Sequence, residues 1–204
     1  MTLTNRPRYA TRLNAFKRKG DSVADMIERA GQVGGLNAAD LNYPDHFEQH
    51  SPQHLTQILH NSNMALNGLA MRYYTDPGFR LGAFSNPDPK VRRAAIDVTK
   101  RGLDALAAMG GRLMTLWMGQ DGFDYSFQAD YAQQWDDTIA AIAEVADHNP
   151  AIDIAIEYKP NEPRAHALMP DMATTLLALR DLGPGLGRHA DPALPVLPSL
   201  PVAA

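Results

Sequence analysis

Five times before residue 183 a short apolar run gives way to a longer stretch with helical periodicity. That alternation constrains the fold more than any other feature of the chain. The strand-like runs are Tyr9–Ala15, Leu36–Tyr43, Ala65–Arg72, Leu113–Met118 and Ile152–Tyr158, the third weakened by Gly68. Ser22 predicts a helix cap before Val23, Met26 and Ile27, and Ser51-Pro52 predicts another before Leu55, Ile58 and Leu59. Asp88-Pro89 opens the most periodic helix, with Val91, Ala95, Val98, Gly102 and Leu106 on one face and Gly110-Gly111 at its end. A fourth helix is expected from about Ala129 to Ala146, with Trp135, Ile139, Ile142 and Val145 on one face. A fifth starts at Met169-Pro170 and runs to Leu182.

Strands alternating with amphipathic helices predict an α/β fold with a parallel sheet and right-handed crossovers. Doubly wound and barrel sheets both satisfy the pattern. Polar and aromatic side chains gather after the carboxyl ends of the strands: Asn42, Asp45 and His46; Arg72 and Tyr73; Trp117, Gln120, Asp121 and Asp124; Glu157 and Lys159. A (β/α)8 TIM barrel builds its site from many strand ends at once. No glycine-rich phosphate fingerprint follows the first strand, which disfavours a dinucleotide fold. The expectation is therefore a partial barrel of about five βα units over 1–182.

From Gly183 the composition changes. Prolines at 184, 192, 195, 198 and 201 exclude a helix or a central strand, and only Arg188 and Asp191 carry charge. Residues 183–204 read as a proline-rich, disordered tail where a sixth strand is due. A truncation or reading-frame slip after about Leu182 is the expectation; a natural tail is the alternative.

The formal charge of −4 gives no reason to expect a nucleic-acid partner. There is no cysteine, so disulfides and thiolate metal sites are excluded. No apolar run approaches the roughly 20 residues that cross a membrane. A basic start (Arg6, Arg8, Arg12, Lys17, Arg18, Lys19) has a transit-peptide flavour, but Tyr9–Phe16 also reads as a first strand. The expected location is the cytoplasm.

The most informative stretch is Ala151–Arg164, AIDIAIEYKPNEPR. Ile152, Ile154 and Ile156 alternate with Asp153 and Ala155, and Pro160 stops the strand. Glu157 and Lys159 lie two apart, hence on one face if the strand continues. A carboxylate can hold a hard cation through oxygen, and an amine beside it can polarise a substrate oxygen. The alternative is a surface ion pair of little energetic weight.

Two segments carry a resemblance. LWMGQDGFDYSFQADY (Leu116–Tyr131) followed by AIEYKPNEPRAHA (Ala155–Ala167) resembles the xylose isomerase-like TIM-barrel family, and within it the bacterial sugar isomerases related to L-rhamnose isomerase. FSNPDPKVRRAAID (Phe84–Asp97) is similar to the opening of that family's fourth helix unit. The likeness covers roughly Arg8 to Leu182. It implies metal-dependent aldose–ketose isomerisation of a small sugar, with manganese, magnesium or cobalt as cofactor. It implies that Glu157 is a metal ligand and that Lys159 contacts the carbonyl-side oxygen of the substrate. The remaining ligands of the family lie on strands six to eight, so the metal site is expected to be incomplete here and catalysis impaired.

His46, after the second strand, is either a catalytic aid to ring opening or a solvated loop histidine. Trp117 is either an apolar wall for a sugar ring or barrel core. Asp121 and Asp124 either bind sugar hydroxyls or cap the next helix. Arg72 and Tyr73 are further substrate-binding candidates at the third strand end. His50, His54, His60 and His148 read as surface, and Met64, Met71, Met114 and Met118 as core. Two alternatives to isomerisation are epimerisation by proton abstraction on the same fold and a non-catalytic chain that forms homo-oligomers through open sheet edges.

Overall fold

The computed structural model describes residues 8–183. From residue 184 onward the expected tail lies outside the described residues. The strands are β1 (Ala10–Arg12), β2 (Ala38–Tyr43), β3 (Ala65–Met71), β4 (Leu113–Leu116), β5 (Gly122–Phe123), β6 (Asp153–Ile156) and β7 (His166–Ala167). The helices are α1 (Val23–Gly31), α2 (Pro52–Asn61), α3 (Pro89–Ala108), α4 (Tyr131–His148) and α5 (Met172–Leu182). The main sheet is parallel throughout, in the order β1-β2-β3-β4-β6. The α/β architecture is the one expected, one βα unit after another. The pair β5–β7 is a separate antiparallel ladder of two residues per strand, which the apolar pattern did not reveal.

Local chemistry explains where the helices begin. Ser22 and Asp25 form a reciprocal capping box on α1. Ser51 Oγ accepts the His54 N–H at 3.2 Å and Pro52 follows at the first position of α2. Asp88 accepts the Lys90 amide at 2.8 Å above Pro89. Asp130 caps α4 through Gln133 at 3.0 Å, and Asp171 caps α5 through Thr174 at 2.8 Å. These last two caps displace the expected starts at Ala129 and Met169 by a few residues, because only the aspartates offer an acceptor in the right place.

The expected first strand is the least accurate: only three of its residues are extended, and Leu13–Phe16 turns into a 3-10 helix that buries Leu13. Gly68, read from sequence as a weakness in β3, has a positive reason. A Cβ there would lie 2.6 Å from the Leu113 carbonyl oxygen, so β3 and β4 approach closely only over a glycine.

Period two divides the sheet into two faces. Leu41, Leu69, Met71, Met114, Leu116 and Ile156 are buried with Met26, Ile27, Leu55, Leu59, Leu103, Leu106, Ile142 and Val145 of the helices. The helices follow each other around that face, α1 against α2, α2 against α3, α3 against α4 and α4 against α5. On the opposite face Asn42, Ala70, Thr115 and Ala155 stand in one register row across β2, β3, β4 and β6. Arg72, Trp117 and Glu157 come two residues further along, at the carboxyl ends.

Candidate active site

At those ends the expected residues fall into two groups joined by a bridge. On the side of β2 and β3, an open cleft of about 860 Å³ is lined by Asn14, Lys17, Asp45, His46, Arg72 and Thr75, among others. His46 is buried, 5% exposed, and its Nδ1 accepts the Asn42 backbone N–H at 3.0 Å. Burial pushes its pKa down to about 4, so it is neutral at pH 7. A solvated loop histidine it is not.

On the side of β4 and β6 stand Glu157, Lys159 and Trp117. Glu157 donates its backbone N–H to the Leu116 carbonyl at 2.9 Å, which carries the pairing one residue past β6. The Glu157 and Lys159 side chains do not pair with each other. Glu157 Oε2 meets Arg12 Nη2 at 2.5 Å, and Lys159 Nζ meets the Glu162 carboxylate. The Lys159 ammonium lies 5.5 Å from the centre of the Trp117 ring. The indole folds back over Gly119, where a Cβ would come within 2.5 Å of the ring.

Tyr74 forms the bridge. Its ring packs edge-on to Trp117 with centroids 5.1 Å apart, and the Arg72 guanidinium lies 4.5 Å above it. Arg72 also faces Asp45, Nε to Oδ2 at 3.4 Å. The result is a continuous stack, Arg72–Tyr74–Trp117–Lys159, with a cation at each end and two aromatic rings between. Sequence reasoning singled out Tyr73 instead. That ring is in the core, 3% exposed, with its hydroxyl 2.7 Å from Thr99 Oγ1. No strand periodicity signals Tyr74, because β3 ends at Met71 and Tyr73–Thr75 turns into a 3-10 helix.

Asp121 is placed inside the loop rather than at its surface. It is 1% exposed, and its two carboxylate oxygens accept the amides of Ala83 at 3.1 Å and Ser85 at 2.6 Å. Burial raises its pKa. Asp124 accepts from Arg164 at 2.6 Å and from the Ala165 amide at 3.2 Å. Neither aspartate caps α4. His50 and His54, read as unrelated surface residues, face each other Nδ1 to Nδ1 at 3.2 Å, and His148 pairs with Asp104 at 2.8 Å. Met64, Met71, Met114 and Met118 are buried, as expected.

The fit to a hard divalent cation is poor among the described residues. Such ions want about six oxygen ligands. No group of three or more histidine, aspartate or glutamate side chains converges there, and the Glu157 carboxylate is engaged by Arg12.

The chain is 28% identical over 190 residues to the xylose isomerase of Roseobacter denitrificans, a match that spans 87% of this chain and 44% of that enzyme. The chain is similar in sequence to xylose isomerases. A second relative, the xylose isomerase of Thermus thermophilus, is 28% identical over 144 residues, 64% of this chain and 37% of the enzyme. The chain thus spans less than half the length of either relative. No family model matches it. Among solved structures, the D-allulose 3-epimerase from Methylomonas sp. in complex with D-allulose superposes over 86% of this chain and 58% of the epimerase. The TM-score is 0.65 at 16% identity. The epimerase likeness is one of fold alone. Among the described residues no helix is long and apolar enough to cross a membrane.

Proposed function

We propose that the strand ends of this chain form one side of a sugar-isomerising site. The observation that carries this reading is the Arg72–Tyr74–Trp117–Lys159 stack beside Glu157. A sugar has one apolar C–H face and a rim of hydroxyls. The Trp117 ring, with Tyr74 packed edge-on against it, offers the flat apolar surface that the first requires, and the flanking cations supply donors for the second.

In this reading Lys159 is the catalytic residue. Its ammonium donates a hydrogen bond to the carbonyl-side oxygen of the open-chain sugar and stabilises the negative charge that develops there. Trp117 and Tyr74 hold the carbon chain, and Arg72 binds a distal hydroxyl. His46 and Asp121, being buried and spoken for by backbone amides, support their loops rather than touch the sugar. Glu157 is the one described carboxylate positioned to contribute to a metal, and it does so only when Arg12 moves away. A divalent metal, in the family's intact sites, supplies Lewis-acid polarisation of substrate oxygens; the described residues alone do not constitute its cage.

Isomerisation by hydride shift and epimerisation by proton abstraction differ in the fate of one hydrogen. The deciding experiment incubates the full chain with D-xylose or D-allulose and Mn2+ in D2O. Product without carbon-bound deuterium supports the isomerase reading; deuterium at carbon supports an epimerase. The parent's binding of D-xylose, followed by quenching of tryptophan emission and lost in Trp117→Leu but not in Trp135→Phe, supports the site itself. Absence of any binding at millimolar sugar would sink it.

A second reading is self-association. Strands β1 and β6 are each paired on one side only within the described sheet, and α5 exposes Met172, Leu176 and Leu177. A concentration-dependent mass in sedimentation experiments supports a homo-oligomer; a monomer across the range removes it.

A further inference from the structure

We propose that Arg164 is the positioning residue of this site, the group that holds the turn presenting Lys159 to Trp117. Arg164 is 8% exposed. Its Nε donates to the Gln120 carbonyl at 3.0 Å, Nη1 to Asp124 Oδ2 at 2.6 Å and Nη2 to the Arg80 carbonyl at 3.2 Å. These acceptors belong to two connections, the one between β3 and α3 and the one between β4 and α4 that contains β5. Arg164 itself belongs to a third, the loop after β6. A planar fork with donors in fixed, divergent directions suits such a junction, and a lysine at the same place would offer a single point charge.

The link to Lys159 runs through the turn. The Arg164 carbonyl accepts the Glu162 N–H at 2.8 Å. Glu162 sits at φ +79°, a left-handed conformation that a non-glycine residue keeps only when its surroundings impose it. The Glu162 carboxylate in turn grips Lys159 Nζ. Further stitches hold the same loop in place: Ala165 N–H to Asp124, Leu168 N–H to the Asp121 carbonyl at 3.1 Å, Lys159 N–H to the Met169 carbonyl at 3.1 Å, and the β5–β7 ladder. Among the described residues, the Arg164 side chain ties this loop to both of those connections at once. Its removal takes the donor from two part-buried carbonyls, those of Gln120 and Arg80, and frees the turn to relax the Glu162 backbone, which withdraws the carboxylate from Lys159.

The inference rests on the reading of Lys159 as the substrate-facing amine, but its test needs no substrate. The chain has five lysines, so reductive methylation with 13C-formaldehyde gives a small, countable set of dimethylamine resonances. Lys159→Arg assigns the Lys159 peak. In the parent that peak is displaced upfield by the Trp117 ring current and returns to the ordinary position in Trp117→Leu. The expected result is that Arg164→Lys and Arg164→Gln, with unchanged circular dichroism, also move it back toward the other lysines. Asp124→Asn removes one arm of the fork and is the second variant should Arg164→Gln fail to fold. A Lys159 peak that stays in place while the melting temperature drops marks a merely structural arginine and overturns the inference. So does a parent peak with no upfield displacement. Failure of the parent to bind D-xylose overturns the proposed function and leaves this result standing.

Discussion

Arg12 ends one outermost strand of the five-stranded sheet and Glu157 lies one residue past the end of the other, yet Nη2 of one lies 2.5 Å from Oε2 of the other. In a flat sheet four strand spacings would separate them by about 19 Å. An arginine and a glutamate side chain together span roughly 10 Å from bond lengths alone. The contact therefore requires the sheet to curl about its polar face, as a barrel wall does. It also places a guanidinium where a divalent cation would have to approach Glu157.

Removal of that guanidinium is expected to expose the carboxylate. Arg12→Gln costs less than about 1 kcal/mol of stability, because the pair is partly exposed and screened by solvent. It raises the affinity of the chain for Mn2+, measured by calorimetry or by the electron spin resonance of free manganese. Equal binding in parent and variant means that Arg12 does not guard Glu157.

His46 sets a pH dependence. Its folded pKa of about 4 lies below the ordinary histidine value of 6.5, so the unfolded chain binds the proton more readily between those values. Stability is full above about pH 6.5 and falls as pH drops toward 4, by on the order of 3 kcal/mol from this residue. Urea midpoints measured at intervals through that range should show the slope, and His46→Gln should flatten it. A variant with the parent's slope assigns the effect elsewhere.

Asp121 is expected to matter for stability more than for sugar contact. Asp121→Ala leaves the buried Ala83 and Ser85 amides without acceptors, at about 1–3 kcal/mol for each unsatisfied group. Asp121→Asn retains one acceptor and loses less. The order parent, asparagine, alanine in denaturant midpoints is the result to look for, and an alanine variant as stable as the parent would contradict the loop assignment.

Gly68→Ala tests the sheet directly. The added methyl group meets the Leu113 carbonyl, and the strain of overpacking is about 1–3 kcal/mol. Thermal denaturation monitored at the far-UV strand and helix bands suffices; an unchanged melting temperature would mean that β3 and β4 can part without cost.

What the sequence disclosed tracks the range over which each signal acts. Ser22, Ser51 and Asp88 announce helices because a cap and its target lie three residues apart. The β2, β3, β4 and β6 runs announce strands because alternation is local, whereas the packing reason for Gly68 is hidden from the sequence because Leu113 is 45 positions away. The β5–β7 ladder has two residues a side, too few for periodicity to register. The pairing of Glu157 with Arg12, rather than with Lys159, depends on curvature that no residue pattern encodes. Burial of Asp121 likewise follows from the Ala83–Ser85 loop folding over it, whereas the sequence shows only an aspartate before a glycine. Arg164 was passed over because an arginine between turn residues resembles any surface charge until its three acceptors are seen.

Each strand of the main sheet pairs with the ones nearest it in chain order, so the sheet grows by additions of short sequence separation, which favours rapid assembly. The Arg12–Glu157 pair spans 145 positions and forms only when all five units are in place. Its two atoms thus report, in a single distance, that the whole arc has been completed. A probe at either position follows the last step of folding and is blind to the earlier ones.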